Sequence, residues 1–271
     1  MLGIIKEAAS YIKETTNFEA DVAIILGTGL SGLVDDVEIV SVLKYEDIPN
    51  FPLSTAPGHH GMLIFGYLGG RKVIVMQGRL HYYEGYTMQE VTFPVRVMKY
   101  LGIKYLLLSN ASGGVNPDFE IGDLMIQSDH INLLPNPLIG KHYPEFGNRF
   151  PDMSEPYDLK LIERVLLIAK EHDIKVQTGC YVGVTGPSLE TPKEYEYFRF
   201  IGGDTVGMST VPEVIVARQM GIKCFAISII TDLGIPGRIV EVSLEDVQEA
   251  AGKSAPLMTF LMEKLVESLI L

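Results

Sequence analysis

Cysteine is scarce in this chain: Cys180 and Cys224 are the only two among 271 residues. Two cysteines cannot build a disulfide framework. Both stand in apolar, strand-like runs, where a thiol packs as a small hydrophobe. There is no CxxC pair, no HExxH and no clustering of the six histidines, so no metal is expected. Long apolar stretches are missing too. The longest, such as FAISII at Phe225 to Ile230, has the length of a strand rather than of a membrane span. The start of the chain, around Lys6 and Glu7, is a short amphipathic pattern without the apolar core of a signal peptide. These features predict a reducing cytoplasmic setting and no membrane contact. Internal repeats and low-complexity linkers are lacking as well.

Basic residues are the other shortage, with 22 Lys and Arg against 34 Asp and Glu and a net charge of −12. A nucleic acid would be repelled by the overall field, so none is expected as a partner. A small anion remains compatible, provided that its pocket is locally positive.

What is present is core material. The chain is 47% hydrophobic and long enough for one large α/β domain or two small ones. Ala23 to Leu26, Leu63 to Tyr67, Val73 to Gln77, Tyr105 to Ser109, Val176 to Val184, Asp204 to Met208 and Cys224 to Ile230 read as strands. Met88 to Leu101, Leu159 to His172, Pro192 to Phe200, Val211 to Met220 and Leu244 to Leu271 read as helices. Runs such as AIIL and LLLS are apolar without a break, as in strands covered on both faces. A three-layer α/β domain follows, with function on the loops at the strand ends. Leu133 to Phe150 is the least regular stretch. It carries five proline and glycine residues, yet also Phe146 and Phe150, so it reads as a cover for a pocket or an arm to a neighbouring subunit.

Four segments suit an anion. In GGDTVGMSTVPEVIVARQMG, Gly202 to Gly221, a short strand turns into a helix at Ser209 and Thr210, with Pro212 in the first turn. Unpaired N–H groups and the dipole end favour negative charge there. The others are GTGLSG at Gly27 to Gly32, PGHHG at Pro57 to Gly61 and SNASGG at Ser109 to Gly114. After the strand ending at Gln77 the chain reads QGRLHYYEGY. Arg79 and His81 are two apart and share one face of an extended segment, where an arginine fork and an imidazole can grip phosphate. In GPSLETPKE, Glu190 stands before a helix start, as a dipole partner or as a reader of ligand N–H groups.

Taken in order, GTGL, TAPGHHG, MQGRLHYYEGY, FPVRVMKYLG, SNASGGVNP, GDLMIQSDHINL, GPSLET and VGMSTVPEVIVAR resemble the purine nucleoside phosphorylases of the trimeric, low-molecular-mass class. The resemblance runs from about Ile24 to Ala251. It implies a single α/β domain over residues 1–271, with a central mixed, partly barrel-like sheet flanked by helices, and a homotrimer with sites near subunit boundaries. It implies phosphate bound by Thr28, His59, Arg79, His81, Ala111 and Ser209, with Glu84 orienting His59. Ribose would meet Tyr83, Met208, His81, Leu244 and Phe146, the last lent by a neighbouring subunit. The base would lie among Ala111, Leu189, Glu190, Val206, Gly207, Thr231 and Asp232. His81, Glu190 and Asp232 would carry the chemistry, with phosphate as co-substrate and neither metal nor organic cofactor.

Two positions depart from the family pattern. Relatives that prefer 6-oxopurines usually have asparagine where this chain has Asp232. An ionised aspartate only accepts hydrogen bonds, so Asp232 accepts from a 6-amino group, donates to N7 when protonated, or points elsewhere. Glu190 argues the other way, because its carboxylate suits the N1–H of a 6-oxopurine. Leu244 stands where relatives commonly have a histidine near the ribose 5′-hydroxyl. The sequence therefore favours inosine and guanosine in purine salvage, with a methylthioadenosine or methylthioinosine phosphorylase as the alternative. GPSLE lacks the GxSxG elbow of a serine hydrolase, and the intact anion segments speak against a non-catalytic nucleoside binder.

Overall fold

Strands with no polar interruption lie deepest. In the computed structural model, which describes residues 1–28, 30–56, 58 and 60–269, β1 (Val22–Ile25) is buried along its whole length. Parallel neighbours cover both of its edges. They are β4 (Arg71–Gln77) and β5 (Tyr105–Gly114). Beyond β4, the antiparallel β3 (Met62–Leu68) and β2 (Glu38–Lys44) complete one wing of the sheet. β2 is an edge strand whose Ile39, Val40 and Val42 face outward. It carries little of the apolar signal that marks the inner strands, and the sequence reading passed over it.

On the other side of β5 lie β8 (Thr205–Gly207), β7 (Val176–Gly183), β6 (Leu124–Asn132) and β9 (Lys223–Leu233), in that order. β9 pairs back onto β5, so β5, β8, β7, β6 and β9 close into a small barrel. The mixed, partly barrel-like sheet expected from the sequence is the fold observed. β6 was also unread, because its second half is polar. Inside the protein those groups find partners: Gln127 donates to Ser228 Oγ at 2.9 Å and accepts from the Tyr157 hydroxyl at 2.8 Å.

SNASGG is a correction. Ser109 to Gly114 do not form a turn; they prolong β5 and pair with β9. Ser109 and Asn110 persist in a buried strand because each finds a partner. Ser109 Oγ accepts from the Gly27 N–H at 3.2 Å, and Asn110 Nδ2 donates to Thr210 Oγ1 at 2.9 Å. Where β5 reaches Gly113 the register with β9 slips by one residue, so that Thr231 is extra. Such a bulge re-aims side chains, and here it turns Thr231 and Asp232 toward one cavity.

Helices flank the sheet: α1 (Leu2–Thr16), α2 (Met88–Val91), α3 (Phe93–Tyr100), α4 (Leu159–Glu171), α5 (Pro192–Phe200), α6 (Val211–Gln219) and α7 (Leu244–Ser268). The single helix expected over Met88 to Leu101 breaks at Thr92. Pro94 offers no N–H to the preceding turn and starts a new helix instead. α5 and α7 open with full capping boxes, Thr191 with Glu194 and Ser243 with Asp246. Those caps place Glu190 and Leu244 just before or at the helix starts, on the loops that face the cavity.

Candidate active site

One cavity of about 390 Å³ opens where the C-terminal ends of β5 and β9, the β4 exit and the starts of α6 and α7 converge. Thr28, Arg79, His81, Ala111 and Ser209, expected at a phosphate, line it. So do Tyr83, Met208 and Leu244, expected at ribose, and Leu189, Glu190, Val206, Gly207, Thr231 and Asp232, expected at a base. His59 lies outside the described residues.

One end of the cavity presents Arg79 and His81, and both are held rigidly. Arg79 is 1% exposed. Its Nε lies 3.0 Å from Glu213 Oε1 and its Nη1 donates to the Ser109 carbonyl at 2.7 Å. Glu213 stands in the apolar first turns of α6, a position the sequence reading treated only as part of a helix. It acts as an internal counter-charge that fixes the guanidinium. His81 Nδ1 sits 3.0 Å from Glu84 Oε1, the His81 N–H donates to the same oxygen at 2.7 Å, and Tyr83 stacks on the imidazole at 4.7 Å. Glu84 therefore orients His81, and it also accepts from the Thr55 N–H and hydroxyl. Burial alone would raise the Glu84 carboxyl, but these four hydrogen bonds outweigh it and bring it down to about 2.

Ser209 and Thr210 have the residue types of helix caps but do not cap α6 with their side chains. Thr210 adopts φ 67°, a costly conformation for a β-branched residue. Its hydroxyl is drawn away to Asn110. Ser209 is tied instead through its N–H to the Tyr181 hydroxyl at 3.3 Å. The strain sits where the helix start meets the cavity.

The other end is acidic. Asp232 is buried, accepts from Thr231 Oγ1 at 3.0 Å and from the Tyr195 hydroxyl at 3.4 Å, and has its carboxyl pushed up by burial. Burial raises Glu190 as well, and the nearby Asp232 charge adds to it. Glu190 does not serve as the cap of α5, since Thr191 and Glu194 fill that role. The Tyr195 hydroxyl lies beside its carboxyl and favours the ionised form. Tyr195 thus bonds to Asp232 and stands beside Glu190. The sequence reading missed it because, within α5, it looks like an ordinary core residue. Ser243, Leu244 and Val247, from the start of α7, close a further wall.

Phe146 is the outlier. Its ring is 3% exposed and packs inside its own chain, on the Arg96 guanidinium at 4.2 Å and edge-on to Tyr100 and Tyr143. It does not line the cavity and has almost no surface to lend. The exposed aromatic of the same segment is Phe150, at 88%. A cation beneath a ring and two edge contacts account for the difference. Among the described residues no cluster of acidic, histidine or cysteine side chains could hold a metal ion, and no helix is long and apolar enough to cross a membrane.

The model of the phosphorylase superfamily matches residues 21–267. Purine nucleoside phosphorylase 1 of Bacillus subtilis is 50% identical over 250 residues, which cover 92% of each chain. The crystal structure of Schistosoma mansoni purine nucleoside phosphorylase in complex with adenosine superposes with a TM-score of 0.94 at 42% identity, covering 98% of this chain and 97% of that one. A complex of Schistosoma mansoni purine nucleoside phosphorylase with inosine matches with the same TM-score at 41% identity, over 99% and 97% of the two chains.

Proposed function

This chain belongs to the phosphorylase superfamily and to its purine nucleoside phosphorylases, and from that premise we propose that it splits purine ribonucleosides and 2′-deoxyribonucleosides with phosphate. The products are the free base and (deoxy)ribose 1-phosphate. Inosine and guanosine are the preferred substrates, adenosine is slower, and the role is purine salvage. The observation that carries this reading is one cavity with Arg79 and His81 at one end and Glu190 and Asp232 at the other.

The chemistry suits that polarity. Breaking the bond between C1′ and N9 leaves positive charge on the sugar and negative charge on the departing purine. Phosphate held by Thr28, Arg79, His81, Ala111 and Ser209 is nucleophile and counter-charge together. Glu190 accepts from the N1–H of a 6-oxopurine. Asp232, held toward its neutral form by burial, donates to N7 and so neutralises the leaving base. Because phosphate supplies the nucleophile and the charge, the step calls for no metal or organic cofactor. Leu244 and Val247 give the far wall an apolar surface, which favours a 5′-methylthio nucleoside as the second reading.

The assembly is a homotrimer in the cytoplasm, a compartment that suits the two free cysteines. Phe150 is the aromatic that closes a neighbour's ribose pocket, since Phe146 is committed to its own core. The test is release of base from inosine, guanosine, adenosine and methylthioadenosine with and without phosphate. Base release only with phosphate supports phosphorolysis. Equal release in phosphate-free buffer shows a hydrolase and ends the reading.

A further inference from the structure

The acidic end of the cavity holds two carboxylates and a single side-chain hydroxyl that reaches both. Tyr195 donates to Asp232 Oδ2 at 3.4 Å, and Glu190 lies beside the same hydroxyl. Its ring is held in place from behind. A Cβ added at Gly234 would fall 2.2 Å from ring carbon Cδ1, so only glycine lets the ring lie there. Asp232 is seated by a second glycine: a Cβ at Gly113 would meet its Oδ2 at 2.9 Å. Glu194, on the same helix, is the remaining carboxylate close to this group, and it is occupied by its capping box with Thr191.

Resting on purine nucleoside phosphorolysis as the function, we propose that Tyr195 is a specificity-determining positioning residue: its one hydroxyl hydrogen goes to whichever of Glu190 and Asp232 the bound purine leaves without a donor. A phenol has one hydrogen to give. A 6-oxopurine brings its own N1–H to Glu190, and Tyr195 then donates to the Asp232 oxygen that does not carry the proton for N7. A 6-aminopurine presents a lone pair at N1 and an amino group to Asp232, and Tyr195 then turns to Glu190. One hydroxyl thereby lets the same pair of acids accept both base types. Without it the two cases are unequal. Asp232 keeps Thr231 as a donor, whereas Glu190 loses its side-chain donor.

Tyr195→Phe keeps the ring and removes the hydrogen. In the folded variant, checked by its thermal midpoint, kcat/KM for adenosine falls about tenfold relative to inosine, one hydrogen bond's worth. The acid limb of the inosine kcat/KM profile moves up by about 0.5–1 pH unit, because in the free enzyme the hydroxyl favours the ionised form of Glu190. A parallel loss for both nucleosides with an unmoved limb makes Tyr195 a packing residue and overturns the inference. That outcome, with an active wild-type enzyme, leaves phosphorolysis standing. A wild-type protein that releases base from neither nucleoside with phosphate defeats the functional reading, and this inference with it.

Discussion

The two ends of the cavity treat carboxylates in opposite ways. At the cationic end Glu84 is surrounded by donors and driven down to about 2, and Glu213 is paired with Arg79. At the acidic end Asp232 is buried and Glu190 half-buried, both with few donors, and both are pushed up. The first arrangement uses acids as scaffolding: they hold His81 and Arg79 at fixed positions. The second leaves acids short of hydrogen-bond donors. A site that must bind a charged co-substrate firmly and a neutral base selectively needs both.

The largest effect expected from breaking this contrast is at Arg79. Arg79→Ala leaves Glu213 buried without its partner, which costs about 3–5 kcal/mol of stability. Phosphate efficiency falls about 10- to 100-fold with the loss of a charge-assisted contact. Denaturant unfolding and kcat/KM for phosphate read the two losses separately. Arg79→Met combined with Glu213→Leu regains stability but not phosphate use. Normal phosphate kinetics in either folded variant would remove Arg79 from the site.

Between the two ends, the irregular segment offers a second contrast. Phe146→Ala empties a core position and costs about 3–5 kcal/mol, with nucleoside KM unchanged in the folded fraction. Phe150→Ala leaves the unfolding midpoint in place and raises nucleoside KM in the trimer. Sedimentation should give a trimer; a fully active monomer contradicts the shared pocket.

At the acidic end, Asp232→Asn lowers adenosine use relative to inosine by about tenfold, one hydrogen bond of discrimination. An adenosine-to-inosine ratio unchanged by the substitution shows that Asp232 does not read the 6-position.

The smallest effect concerns pH and stability, and it has opposite signs at the two ends. Glu84 is lowered from 4.5, so its contribution is present above that value and is lost as pH falls toward about 2. Glu84→Gln therefore lowers the Tm at neutral pH, and the gap closes in acid. Glu190 and Asp232 are raised, so their contribution is present below their ordinary values and fades as pH rises through the shifted ones. Glu190→Gln with Asp232→Asn raises the Tm at pH 7 by a few degrees, and that gain also vanishes in acid. Matching signs in thermal scans would show that the two ends are not different.

Much of this was legible in the residues alone. Unbroken apolar runs marked β1, β5 and β9, and helical spacing with capping residues marked α4 to α7, because burial on both faces and 3.6-residue periodicity leave direct traces. β2 and the polar half of β6 left no such trace. One is an edge, and the polar groups of the other are satisfied by residues distant in the chain. SNASGG looked like a turn for the same reason: partners for Ser109 and Asn110 lie 82 and 100 positions away.

Phosphate-type residues, Glu190 and Asp232 could be named from motifs, since local order carries them. Their charge states could not. Which of Phe146 and Phe150 faces out was decided by Arg96, about fifty residues earlier in the chain. The role of Tyr195 depended on a bulge in β9 and on the bare face of Gly234. The amino-acid order by itself determined the elements, the core and the kinds of side chain available to one cavity, because those follow from hydrophobic period and short motifs. Only the tertiary structure decided which acids are starved of donors and which are saturated, because hydrogen-bond supply inside a protein comes from residues that the chain brings together through folding.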